Sequence, residues 1–128
     1  MDLVVTDAAL LAELIHASPS FGVLWRGTAE TYPASAPATL SDALFDLLGH
    51  LLGLVGKDRH RELGPLLGAV ERIYAAATET QRGLVRSCVL ETLATSCPTM
   101  GLDPDVFLVH LGPQCRAVWL GRRHVKRP

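Results

Sequence analysis

The chain has 128 residues, 48% hydrophobic and 20% charged, with a formal net charge of -1. That length suits one domain around one core, and that balance excludes disorder as the native state of most of the chain. Aromatic residues make up only 5%, so the core has to come from Leu and Ala, which favour helices over strands.

The first residues place acids at Asp2, Asp7 and Glu13 where a secretion signal carries positive charge, so no export is expected and the reading is cytoplasmic. Thr6 or Asp7 caps a first helix that carries Leu10, Leu11, Leu14 and Ile15 at helical spacing and stops near Ser18. Ser18 and Pro19 then open a second helix with Phe21, Leu24 and Trp25 as its apolar face. Residues 28–38, "TAETYPASAPA", hold small residues and two prolines without apolar periodicity, and read as the main loop.

Thr39 or Ser41 starts the longest helix, whose stripe is Leu40, Ala43, Leu44, Leu47, Leu48, Leu51, Leu52 and Val55. Its apolar run is far shorter than the roughly 20 residues of a bilayer span and contains His50, so no membrane role is expected. Gly56 and the mixed-charge run "KDRHRE" end it. Gly64-Pro65 opens the next helix, with Leu66, Leu67, Val70, Ile73, Tyr74 and Ala77 facing the core. Thr78 and Gln81 then form a capping box for a helix carrying Leu84, Val85, Cys88, Val89 and Leu93.

Cys97-Pro98 and Gly101 are expected to break that helix, and Asp103-Pro104 to restart the chain as a short helix bearing Val106, Phe107, Val109 and Leu111. Gly112-Pro113 starts the last helix, with Val118, Trp119 and Leu120, Trp119 serving as core anchor. Residues 122–128, "RRHVKRP", hold four of the twelve basic groups and read as a basic, frayed end. Eight basic against thirteen acidic groups remain, so the body is mildly acidic and no specific nucleic-acid surface is expected.

The pattern predicts a single all-α domain over residues 1–128, with six or seven helices in antiparallel hairpins of HEAT-like or bundle packing. Residues 39–95 read as three successive antiparallel helices.

Asp42, Asp46 and His50 recur at i, i+4 and i+8 on the long helix, which places them on one polar face. That face reads as solvated and is the candidate partner-binding surface. Gly49, Gly53 and Gly56 stand beside it, although each glycine inside a helix costs roughly 1 kcal/mol relative to alanine. Close approach of another helix backbone, within the domain or across a dimer, is one reason; a relaxed helix end is the other.

Catalytic patterns are missing: there is no GxSxG, P-loop, GxGxxG or HExxH. Cys88, Cys97 and Cys115 have neither zinc-ribbon nor CxxC spacing and read as reduced, packed thiols. Glu71 and Glu91 could form a carboxylate pair, but bonding to Arg72, Arg82 or Arg86 is the simpler expectation. No catalytic, metal-binding or cofactor-binding residue is therefore expected.

From residue 40 onward the pieces Glu71-Arg72-Ile73, "TETQ", Glu91-Thr92-Leu93, and Leu111-Gly112-Pro113 with Trp119 resemble a family of small bacterial all-helical domains. Some of these look like immunity proteins of polymorphic-toxin systems. The resemblance implies a cytoplasmic binding protein without chemistry that blocks a cognate protein toxin. The alternative is a helical scaffold or adaptor acting as a homodimer through the glycine-bearing helix.

Overall fold

A computed structural model describes residues 5–125, with side chains described as far as Gly121. It is all-α: among the described residues there are seven helical units and no strand. These are α1 (Asp7–Ala17), α2 (Pro19–Ala29), α3 (Leu40–Gly56), α4 (Leu63–Ala76), α5 (Glu79–Val85) running through a π-helical turn (Arg86–Leu90) into α6 (Glu91–Met100), α7 (Asp105–Leu108) and α8 (Pro113–Val125). A 3-10 turn, His60–Glu62, links α3 to α4. No helix among the described residues is long and apolar enough to cross a membrane.

The starts are set by side chains standing in for missing helical partners. Thr6 accepts from the Ala9 N–H, Ser18 from Phe21, Thr39 from Asp42 and Thr78 from Gln81, each cap being worth about 1 kcal/mol. Pro19 occupies the first turn of α2, where its missing N–H is no loss. Gly101, at φ 69°, closes α6 while the Leu102 N–H reaches back to the Cys97 carbonyl at 2.8 Å. The C-terminus of α4 is held from outside: Arg82 donates to the carbonyls of Tyr74 (2.9 Å) and Ala75 (3.1 Å), its guanidinium 5.4 Å from the Tyr74 ring centre.

One hydrophobic cluster joins all these units. Helix α4 lies against α1 and α8, and the π turn packs on α3, so α3 meets the α5–α6 rod more closely than it meets α4. Phe21, Leu44, Leu47, Leu51, Phe107 and Trp119 are buried in this core.

Several expectations are corrected. Leu24, Val109 and Leu120 were assigned to apolar faces but are exposed, and α7 ends before Val109. Pro98 does not break the helix: it sits in the last turn of α6, where a single ladder bond is forgone and Cys97 stays buried. Helix α2 extends to Ala29, so the loop begins two residues later than its composition suggests. Among the described residues Glu71 bonds no arginine. Its carboxylate accepts from the backbone N–H groups of Gln114 (3.1 Å) and Cys115 (3.0 Å) and so caps α8, while Arg72 pairs with Glu13 and Arg86 with Glu79. The backbone of α8 is helical as far as Val125, and residues 126–128, with the side chains of 122–125, lie outside the described residues.

Candidate functional site

The face expected to be uniformly solvated is divided by its neighbours. Asp42 belongs to the start of α3: its Oδ2 accepts from the Thr39 N–H (2.8 Å) and the Thr39 hydroxyl (2.9 Å). These bonds, led by the backbone one, hold its carboxyl below the ordinary carboxylate range. The Tyr32 phenol of the preceding loop is raised, first by desolvation and then by the Asp42 charge. Asp42 is thus a capping residue.

One turn on, the Asp46 Oδ2 is buried without a hydrogen-bond partner. Both Asp46 and His50 are half-buried, facing α2 across a groove of about 550 Å³. Ser20, Val23 and Leu24 form the α2 wall; Asp46, Gly49, His50 and Gly53 form the α3 wall; Lys57 and Arg59 close one end. Val23 is 69% exposed and Leu24 41%, so the α2 lip is apolar and uncovered.

The floor is a chain of polar contacts whose direction can be derived. Ser20 Oγ lies 2.7 Å from Glu62 Oε1, 3.0 Å from His50 Nε2 and 3.3 Å from Ser18 Oγ. An ionised carboxylate only accepts, so the Ser20 proton goes to Glu62, leaving Ser20 Oγ as acceptor for the other two. His50 therefore carries its proton on Nε2 and donates to Ser20. The imidazole is not a base toward this hydroxyl, and the serine is not activated as a nucleophile.

The ring of His50 also lies against Phe21, with centroids 5.9 Å apart. Burial pushes the His50 pKa down, opposed by the charge of Glu62. Glu62 is held low chiefly by the Ser20 hydroxyl, and it also forms an ion pair with Arg59. The trio thereby ties α2, α3 and the 3-10 turn together beneath the groove.

Ser20, Val23 and Glu62 carry no site expectation in the sequence, and Leu24 is expected there only as part of the apolar face of α2. Glu62 was hidden in the charge-alternating "KDRHRE", and Leu24 looked like a core residue because it follows Phe21 by three. Val23 did carry a signal: it stands off the Phe21–Trp25 stripe in a helix with few polar residues. Among the described residues no group of His, Cys, Asp and Glu is arranged to hold a metal ion. Cys88, Cys97 and Cys115 are buried free thiols, and burial, with the Glu71 charge second, pushes Cys115 up to about 12.

Compared with protein-family models, curated proteins and solved structures, the chain matches none of them. Of the motif residues behind the resemblance, Glu71, Gly112 and Trp119 serve the packing of α8 rather than the groove.

Proposed function

We propose that the chain is a bacterial immunity protein, a binding protein without chemistry of its own that neutralises a protein toxin docked on the α2–α3 groove. The observation that carries this reading is the uncovered lip of Val23 and Leu24 above a hydrogen-bonded floor. Apolar contacts at such a lip supply binding energy, while a floor already bonded costs little to order on association. The resemblance supplies the class of partner. No cofactor, metal, specific nucleic acid or membrane enters this reading, which places the protein in the cytoplasm.

Co-expression with a candidate toxin whose gene lies beside that of the chain is the test. The wild-type chain should protect cells, and Val23→Asp with Leu24→Asp should remove protection while leaving thermal unfolding unchanged, because both side chains are exposed. Failure of the wild-type chain to protect would sink the reading.

A second reading is a helical scaffold acting through homodimerisation. It is favoured by α3, where a Cβ placed on Gly49, Gly53 or Gly56 would meet nothing within 4 Å. The close helix approach expected inside the domain is not what these glycines serve.

A further inference from the structure

The geometry points to an arginine side chain of the docked protein as the anchor in the α2–α3 groove, its charged head on the Asp46 carboxylate and its stem along Val23 and Leu24. This deepens the toxin reading and rests on it.

The Asp46 Oδ2 is buried and accepts no hydrogen bond. A carboxylate oxygen taken from water without a donor destabilises the fold that holds it. No cation among the described residues is placed to relieve it. Lys57 follows Asp46 by eleven residues, roughly 16 Å along a helix axis and beyond the reach of its side chain. Arg59 stands farther on and pairs with Glu62, while Arg26 of α2 lines a separate pocket beside Trp25. His50, one turn from Asp46, gives its Nε2 proton to Ser20, which leaves Nδ1 an acceptor as well. The open polar atoms at this end of the groove therefore accept, and what enters has to donate.

The walls select the rest of the occupant. Val23 and Leu24 present an apolar lip. On the opposite wall Gly49 and Gly53 leave the passage without side chains, and a Cβ added at either would meet nothing within 4 Å. A long aliphatic stem ending in a strongly donating head fits such a passage, which describes lysine and arginine. Arginine suits it better, because its guanidinium is more weakly hydrated and offers several donors in one plane to a groove end that holds more than one acceptor. Lys57, exposed at the far end, repels a second cation and so confines the basic group to the Asp46 end.

The test is an NMR titration of the isotope-labelled full chain with N-acetyl-leucyl-arginine amide and with its uncharged isostere, N-acetyl-leucyl-citrulline amide. The arginine peptide should move the amide signals of Gly49, His50 and Gly53 saturably at millimolar concentration. The citrulline peptide should bind about tenfold more weakly, as a charge-assisted bond exceeds a neutral one. Asp46→Asn should remove that preference and unfold at the temperature of the wild type or above it, because the unpartnered charge is gone. Gly49→Leu should keep the fold and exclude both peptides, since the new side chain enters open space in the groove. No saturable movement of these signals, equal binding of the two peptides, or binding retained by Gly49→Leu would each overturn the assignment. So would an undiminished preference in Asp46→Asn, or a lowered unfolding temperature in that variant, which would show that the carboxylate serves the fold. Protection by co-expression decides the toxin reading separately: a chain that protects cells yet ignores the arginine peptide keeps that reading and loses this one.

Discussion

The Glu71 side chain fills the space that a Cβ at Gly112 would need: a Cβ added there would collide with it, reaching 2.7 Å from Oε1. Glu71 has to stand there because its two oxygens accept from the first free N–H groups of α8, those of Gln114 and Cys115. A carboxylate at a helix N-terminus is favoured by the dipole as well as by the bonds. Glu71→Ala should therefore cost about 1–2 kcal/mol of stability. Gly112→Ala should cost about 2 kcal/mol, through displacement of the same cap. In the double variant the losses should not add, since removing the carboxylate empties the space the methyl needs. Strictly additive losses in urea unfolding would show that the two residues act independently.

Gln81 joins the N-terminus to α5. It is 7% exposed; its Oε1 accepts from the Thr78 N–H, and its Nε2 donates to the Val5 carbonyl (2.8 Å) and Asp7 Oδ1 (2.9 Å). Gln81→Glu keeps the shape but turns the donor into an acceptor facing two acceptors, one of them charged. The expected cost is about 3 kcal/mol at neutral pH, in the range for a buried group set against its partners. The loss should shrink on acidification, when the new carboxyl regains a proton to donate. A thermal unfolding curve matching the wild type at pH 7 would rule this out.

Acidification should also act through the groove floor. His50 has its pKa pushed below the ordinary 6.5 by burial, so as pH falls below that value the unfolded chain takes up a proton that the fold resists. Stability is therefore lost as pH drops through the window just under 6.5. Glu62, held under its ordinary 4.5 by Ser20, contributes stability that is present above 4.5 and lost as pH falls through its folded value. Lys57 and Arg59 near the imidazole oppose its protonation, while Glu62 and Asp46 favour it. His50→Gln retains a donor for Ser20 without the titration. Its stability relative to wild type should rise between pH 7.5 and 5.5, and a constant difference across that range would contradict the assignment.

The start and face of most helices were legible in the sequence because caps are local. Thr6, Ser18-Pro19, Thr39 and the Thr78–Gln81 box act within three residues of themselves, and the α4 stripe from Leu66 to Ala77 follows a fixed period. What was not legible depends on partners distant in the chain. Glu71 caps a helix more than forty residues away, and Ser20 meets Glu62 only after α3 has turned the chain back. The π turn inserts a register change that no apolar period announces, with the Thr92 hydroxyl reaching the Ser87 carbonyl at 2.8 Å. Asp42, Asp46 and His50 share a face by spacing, but the loop and α2 give them different tasks.

Gly22 and Gly27 lie on the same helix and should respond to alanine with opposite signs. Both are helical, so both substitutions gain the roughly 1 kcal/mol by which alanine surpasses glycine in a helix. At Gly27 nothing stands within 4 Å of the new methyl, and the full gain should appear as a more stable protein. At Gly22 the methyl would come within 2.9 Å of Ile15 Cγ2, on a β-branched side chain with little freedom to turn aside. Overpacking of this kind costs about 1–3 kcal/mol, enough to exceed the helical gain. Gly22→Ala should therefore unfold at a lower temperature than wild type and Gly27→Ala at a higher one. If Gly22→Ala is also stabilised, α1 and α2 are not packed as closely at Ile15 as this contact requires.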